Sequence, residues 1–265
     1  VNTHRPRKRF GQHFLHDAAV VARIVRAIGP RPDDRVVEIG PGLGALTGAL
    51  LESGADLDVI ELDRDLAAKL RAEHEGDDRI RIHQADALDF DFLQLGATDH
   101  GLRVVGNLPY NVSTPLLFHL LDQAHLMDDM HFMLQREVVD RLVAPPGGKD
   151  YGRLTVMVRR LCESEKLFDV GAGAFRPAPR VTSAVVRLRV RREPCVTLED
   201  AATFRRLVAR LFSRRRKTLR NSLRDQLSEA ELEGLGIDPM ARPETLDLGA
   251  FAALANAVHG KGGDR

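Results

Sequence analysis

A short β-branched run that breaks into a glycine turn and restarts as a helix constrains this chain more than any other feature. Arg35–Ile39 (RVVEI) reads as a strand, Gly40-Pro41-Gly42-Leu43-Gly44 as the turn, and residues 45–52 as the helix. The pattern then repeats. Residues 57–60 form a second strand ending at Glu61, with helical 65–72 behind it, and residues 79–83 a third, ending near Asp86. A fourth covers 102–105 and ends at Gly106-Asn107 ahead of helical 113–121. Residues 131–134 offer a fifth, followed by a helix over 137–143. Upstream, residues 17–28 place apolar side chains at helical spacing behind Asp17, an aspartate suited to capping. Strands alternating with amphipathic helices predict an α/β fold on a doubly wound parallel sheet. Residues 181–190 (VTSAVVRLRV) alternate well enough for a late, partly exposed strand. After Pro194 the pattern turns helical, broken at Gly234, Gly236, Pro239 and Pro243. A boundary is therefore expected near 193–198, with an α/β domain over 1–195 and a small all-helical domain over 196–265.

Composition narrows the class. A chain of 265 residues, 43% hydrophobic and 29% charged, suits one large and one small globular domain. Two cysteines, Cys162 and Cys195, cannot build a disulfide framework or a four-cysteine zinc site, so a reducing cytoplasm is the expected compartment. The ten histidines show neither H-E-x-x-H nor finger spacing, and no metal is expected. The basic start has no apolar stretch behind it and is not read as a secretory signal. The longest run free of acids and strong bases, residues 104–121, is interrupted by Asn107, Asn111 and two prolines, so it is not a membrane span. The net charge of +1 conceals segregation. Residues 52–102 carry 14 acids against 5 bases, residues 176–224 carry 15 bases against 3 acids, and Arg5, Arg7, Lys8 and Arg9 crowd the start. Such asymmetry fits a polyanionic partner, and it equally fits solvated helix faces; charge alone does not choose.

In open α/β sheets ligands bind beyond the carboxyl ends of the strands. The first glycine turn lets backbone approach a ligand closely and aims helix-start amides at it. Its spacing is G-x-G-x-G rather than the G-x-G-x-x-G of dinucleotide binders. Glu61, 21 residues after Gly40, can accept both ribose hydroxyls of an adenosine. Asp86 can accept from an adenine amino group. Either acid alone reads equally well as a strand-end or helix-cap residue; the glycine turn, Glu61 and Asp86 on three successive strands together point to a nucleoside.

The fourth strand end, Asn107-Leu108-Pro109-Tyr110, narrows the chemistry. It supplies a side-chain amide acceptor, a proline-fixed turn exposing backbone carbonyls, and a flat aromatic. Elsewhere that quartet would be an ordinary turn with a packed tyrosine. After a nucleoside site it suits alkylation of an aromatic amine. The adenine N6 lone pair is delocalised into the ring and nucleophilically poor. Accepting its hydrogens at the Asn107 oxygen and the Leu108 or Pro109 carbonyl favours a more tetrahedral nitrogen with its lone pair aimed at the alkyl donor. Tyr110 can hold the base by stacking. No strong general base is required, because the proton becomes acidic once the nitrogen is alkylated.

These motifs, with FGQHFL from Phe10, EIGPGLGALT from Glu38, IELDRD from Ile60, QADAL from Gln84 and GNLPYNVSTPLLFHLL from Gly106, stand in the order of a known family. HFMLQREVVDRL from His131, KDYGRLTVM from Lys149, FRPAPRVTSAVVRL from Phe175 and RRRKTLRNSL from Arg214 continue it. The chain closely resembles the ribosomal RNA adenine dimethylases, from about Lys8 to the C-terminal helices. The resemblance implies a Rossmann-like class I methyltransferase domain, a helical C-terminal domain that assists RNA binding, and S-adenosylmethionine as methyl donor. It further implies N6-dimethylation of two adjacent adenosines in the 3′-terminal hairpin of 16S rRNA, within the 30S subunit or a late assembly intermediate. By position, His13 and Leu15 would border the cofactor and Gly40 and Gly42 would approach its methionine part. Glu61 would hold the ribose, Asp86 the adenine, and Asn107 both the methionyl end and the target amine. Tyr110 would stack on the flipped base, with Phe175 on its other face. His13 departs from the asparagine common in the family, which puts its role in question.

Arg153, within the KDYGR segment, and the run Arg214, Arg215, Arg216 and Lys217 are candidate RNA phosphate contacts, although four consecutive bases cannot share one helix face. Nothing calls for an oligomer, and a monomer is expected. The nearest rival is a member of the same family acting on 23S rRNA; NLPYN and FRPAPRVTSAV favour the small-subunit branch. An idle RNA-binding assembly factor would not need Gly40, Gly42, Glu61, Asp86, Asn107 and Tyr110 together. An NAD-dependent oxidoreductase is rejected on glycine spacing.

Overall fold

The computed structural model describes residues 12–97 and 100–262. The N-terminal bases Arg5 to Arg9 and the start of the FGQHFL motif lie outside them. The chain divides into two compact units, and the first is discontinuous: residues up to Val139 together with Glu163–Val190.

In this first unit β1 (Phe14–Leu15) precedes α1 (Ala18–Ile28), whose N-terminus is capped by Asp17 accepting from the amides of Ala19 and Val20 at 2.9 and 3.1 Å. Then follow β2 (Arg35–Ile39), α2 (Ala45–Leu51), β3 (Asp56–Glu61), α3 (Arg64–Glu73), β4 (Ile80–Gln84), β5 (Leu102–Asn107), α4 (Ser113–Asp122) and β6 (Met127–Gln135). After an excursion into the second unit, β7 (Cys162–Val170), β8 (Phe175–Arg176) and β9 (Ser183–Val190) complete it. Among the described residues, seven strands form one sheet in the order β4-β3-β2-β5-β6-β9-β7, and β1 pairs with β8 in a separate two-stranded ladder. The β4 to β6 pairings are all parallel, and β9 runs antiparallel to β6, with Phe132 opposite Val186 and Gln135 opposite Ser183. The strand order reverses between β2 and β5, so the crevice beyond their carboxyl ends is where a ligand is accommodated.

Four of the five early strands fall where β-branched runs predict them; the fifth, expected over 131–134, runs over Met127–Gln135 and holds no β-branched residue. Two expectations need correction. The alternation over 181–190 predicts partial exposure, yet β9 is mostly buried, because it is interleaved between β6 and β7 rather than lying at an edge. The edge on this side of the sheet is β7, whose sequence CESEKLFDV alternates charge with partial burial and carries no β-branched run to announce a strand.

The second unit comprises Asp140–Cys162 and Arg191 onward. The division at Val190/Arg191 lies close to the expected boundary, but it also assigns 140–162 to the helical unit, a segment that the sequence pattern places in the first domain. Here α5 (Arg136–Val143) ends and α6 (Arg153–Leu161) packs against α7 (Ala201–Ser213), followed by α8 (Leu219–Leu223), α9 (Glu229–Gly234) and α10 (Leu248–Gly262). The physical reason is aromatic burial. Tyr151, just ahead of α6, meets the edge of Phe212, which stacks on Phe251 at 5.7 Å. Among the described residues no helix is long and apolar enough to cross a membrane.

Candidate active site

A cavity of about 230 Å³ opens at the switch between β2 and β5. The turn after β2 forms its floor. Gly42 adopts φ +60°, and a Cβ there would come within 2.8 Å of the Phe14 ring, so both the backbone conformation and the packing require glycine. Across the turn, Gly106 lets β5 pass the end of β2 so closely that a Cβ would sit 2.5 Å from the Ile39 carbonyl oxygen. That approach brings Asn107 to the glycine turn.

His13, Leu15, Gly40, Gly42, Glu61, Asp86, Asn107, Leu108, Pro109 and Tyr110 all line this one cavity, bringing the expected N-terminal, cofactor and amine-binding residues together. Phe175 does not line it. Its side chain is 2% exposed and belongs to the apolar core, opposite Leu15 in the β1–β8 ladder. Arg153, Arg214, Arg215, Arg216 and Lys217 belong to the second unit and do not line it either. Arg215 donates from Nη1 to the Lys149 carbonyl at 2.8 Å and from Nη2 to the Gly148 carbonyl at 3.1 Å, so it fastens a loop of its own unit, whereas Arg214, Arg216 and Lys217 are exposed.

The acids are differentiated by their surroundings. Glu61, buried at the end of β3, accepts the amide of Asp63 at Oε1 (2.8 Å) and that of Gly42 at Oε2 (3.3 Å), tying the glycine turn to the neighbouring strand. Burial raises its pKa against the lowering effect of those amides. Asp86 accepts the Leu88 amide at 2.9 Å, which shapes the turn beyond β4. Glu38 is a site residue that motif reading does not single out. It sits within β2, 1% exposed, and accepts from Thr47 Oγ1 at 2.6 Å. Burial pushes its pKa up from 4.5 to about 7, with the Thr47 bond opposing and the Glu61 charge adding. The available signal is a carboxylate inside an otherwise apolar strand.

That displacement gives a stability prediction. The unfolded chain ionises Glu38 near pH 4.5 and the folded chain near 7, so stability present below pH 4.5 is lost as pH rises through 7. The cost at pH 8 is roughly 3 kcal/mol. Glu38→Gln keeps an acceptor for Thr47 and removes the titration. Urea unfolding should show the variant near the native chain at pH 4.5 and more stable at pH 8. Parallel pH curves would refute the assignment.

At the end of β5, Asn107 Nδ2 donates to the His13 carbonyl at 3.0 Å. A carbonyl can only accept, so the amide is oriented with Oδ1 left as its acceptor. The Pro109 carbonyl accepts the Val112 amide at 3.2 Å, closing the turn. The Tyr110 hydroxyl pairs with Ser183 Oγ at 2.7 Å, and the Tyr110 ring stacks with that of His13, centroids 5.6 Å apart and planes at 26°.

Comparison with known proteins decides what this cavity belongs to. The sequence model of the ribosomal RNA adenine dimethylases matches residues 3–259. The chain belongs to this family. The dimethylase is 57% identical to the ribosomal RNA small subunit methyltransferase A of Pseudomonas fluorescens over 96% of its own length and 94% of that protein. It is 56% identical to that of Acinetobacter baylyi over 96% and 93% of the two chains. Among solved structures, the dimethylase superposes on a dimethyladenosine transferase from Plasmodium falciparum with a TM-score of 0.81 at 27% identity, covering 94% of this chain and 98% of the other. It superposes on the 23S rRNA methyltransferase ErmE with a TM-score of 0.71 at 28% identity, covering 93% and 99%. The fold is that of a class I methyltransferase, and the enzyme is an rRNA methyltransferase.

Proposed function

We propose that this dimethylase transfers methyl groups from S-adenosylmethionine to N6 of two adjacent adenosines in the 3′-terminal hairpin loop of 16S rRNA. Four transfers dimethylate both, late in assembly of the 30S subunit. The observation that carries the reading is the oriented amide of Asn107, beside Tyr110, on the same cavity as Gly42, Glu61 and Asp86. Identity of 57% to a protein named for the small subunit, against 28% to ErmE, favours 16S over 23S rRNA.

The donor set fits the cofactor: a buried carboxylate at Glu61 for ribose hydroxyls, a second at Asp86 for an adenine amine, and a close-approach backbone at Gly40 and Gly42. Leu15 and the His13 segment border it. S-adenosylmethionine supplies an electrophilic methyl group when bound. The chain's own residues prepare the nucleophile. Asn107 Oδ1 accepts one N6 hydrogen; the Leu108 carbonyl is the better second acceptor, because that of Pro109 already closes the turn. Tyr110 holds the base in line. The proposal is completed by a monomer acting on subunits in the cytoplasm.

The test is incubation with labelled S-adenosylmethionine and unmodified small subunits, large subunits alongside, followed by mapping. Label at two adjacent N6-dimethyladenosines near the 16S 3′ end is expected. Label on 23S rRNA, or binding without label, would overturn the reading.

The exposed cations of the second unit are proposed to meet RNA phosphates, Arg153 among them. Replacing Arg214, Arg216 and Lys217 with glutamine should flatten the plot of log affinity for subunits against log salt by roughly 2, since each phosphate no longer neutralised removes about 0.7–0.9 from the slope. Replacing Arg215 alone should instead loosen the loop at Gly148 and Lys149. An unchanged slope in the triple variant would remove these residues from the interface.

A further inference from the structure

We propose that His13 and Ser183 are positioning residues for Tyr110, one holding its ring by the face and the other its hydroxyl, so that the wall for the target base is set before RNA arrives. The inference rests on the proposed role of Tyr110 and adds two residues to it. It also gives His13 a different task from the cofactor contact implied by its place in the sequence.

His13 stands just ahead of β1, and three interactions converge on it. Its Nδ1 lies 2.7 Å from the Pro177 carbonyl oxygen, its own carbonyl accepts Asn107 Nδ2 at 3.0 Å, and its ring lies against Tyr110. Because the Pro177 oxygen can only accept, Nδ1 carries the proton, and this bond restrains rotation of the ring. A ring restrained in this way is a platform: Tyr110 cannot tilt away from it without losing the stack. Ser183 supplies the other restraint. It is fully buried at the start of β9, paired in register with Gln135, and its Oγ is 2.7 Å from the phenol oxygen. The ladder of β1 with β8 brings the His13 and Pro177 segments together, so the clamp is built on paired backbone. An asparagine at position 13 could reproduce the bond to Pro177 but not the stack. A phenylalanine could reproduce the stack but not the bond. The two functions are separable by substitution.

The sequence supplies its own probe. The chain has two tyrosines and no tryptophan, so Tyr151→Phe leaves Tyr110 as the sole fluorophore excited at 280 nm. In that background His13→Ala, His13→Phe, His13→Asn and Ser183→Ala would be compared by Tyr110 emission and anisotropy, S-adenosylmethionine Kd, and kcat and KM on unmodified small subunits. The expected result is about a tenfold loss of kcat/KM for subunits in His13→Ala and Ser183→Ala, with lowered Tyr110 anisotropy and a cofactor Kd within twofold of the parent. His13→Phe should restore most of the loss and His13→Asn little of it. A tenfold rise in cofactor Kd with unchanged Tyr110 anisotropy would overturn the proposal and return His13 to the cofactor. So would full rescue by His13→Asn and none by His13→Phe. Loss of turnover in Tyr110→Ala with His13→Ala and Ser183→Ala both fully active would overturn the clamp alone. Full activity in Tyr110→Ala would overturn the role of Tyr110 and the clamp with it.

Discussion

Asn107→Ala should lose about 10²–10³-fold in kcat on unmodified small subunits while binding them much as before. The magnitude is that of removing one preorganised hydrogen-bond partner from a reacting centre. The amide has two ends with different tasks. Nδ2 is committed to the His13 carbonyl, which leaves Oδ1 free for the acceptor role proposed for it. Asn107→Asp is the sharper variant, since it keeps an acceptor oxygen but sets a carboxylate against the His13 carbonyl. If Oδ1 alone mattered, the aspartate variant would recover most of the rate. If orientation matters, it should be nearly as slow as alanine. Single-turnover rates at saturating donor separate the two, and native rates in both variants would remove Asn107 from the chemistry.

The largest expected stability effect lies away from the cavity, at Arg103 on β5. Its side chain is 14% exposed and binds two carboxylates and two carbonyls. Nη1 meets Asp34 at 2.6 Å and the Gly29 carbonyl at 3.3 Å; Nη2 meets Asp129 at 2.9 Å and the Ile28 carbonyl at 2.7 Å. Burial lowers the pKa of the guanidinium, yet Asp129 and Asp34 more than offset this, and the arginine stays charged. At Asp129 burial likewise works against the charge, and bonds from His131 and Arg103 hold its carboxyl below the usual range. One cation therefore joins the C-terminus of α1, the approach to β2, and β5 to β6. Arg103→Met should cost about 3–5 kcal/mol, because it leaves two largely but not fully buried carboxylates without their partner. For a chain of this size that is a fall in Tm on the order of 10 °C. Adding Asp129→Leu should recover part of the loss, since an apolar pair replaces an orphaned charge. A Tm within 2 °C of native for Arg103→Met, or a double variant less stable than the single, would refute the account.

What could be read from the sequence follows from how locally each feature is encoded. A glycine turn, a strand-end glutamate and an Asn-Leu-Pro-Tyr quartet are short, and the alternation around them placed Gly40, Gly42, Glu61, Asp86 and residues 107–110 at the ends of successive strands, whereas His13 and Leu15 came from the family resemblance alone. Glu38 was hidden because its role depends on burial and on Thr47, nine residues away, which no motif spells out. Ser183 was hidden for the same reason, 73 residues from Tyr110. Phe175 looked like a stacking aromatic by position, but pairing with Leu15 turns it into the core. Arg215 stood within a run of four bases that composition could not divide; only the carbonyls of Gly148 and Lys149 set it apart. The edge strand β7 escaped because half-exposed edge strands carry charge where interior strands carry valine.

The interleaving of β9 between β6 and β7 has a consequence for synthesis. A chain emerging from the N-terminus can lay down β2 to β6 by right-handed crossovers as each strand appears. The outer edge of β6 then stays open while some fifty further residues, including two helices of the other unit, are made. Only when residues 183–190 arrive is that edge filled, and Ser183 comes within reach of Tyr110 in the same step. Because β1, which lines the cavity, pairs with β8, both the cavity wall and the partner of Tyr110 are completed only when residues 175–190 have been made.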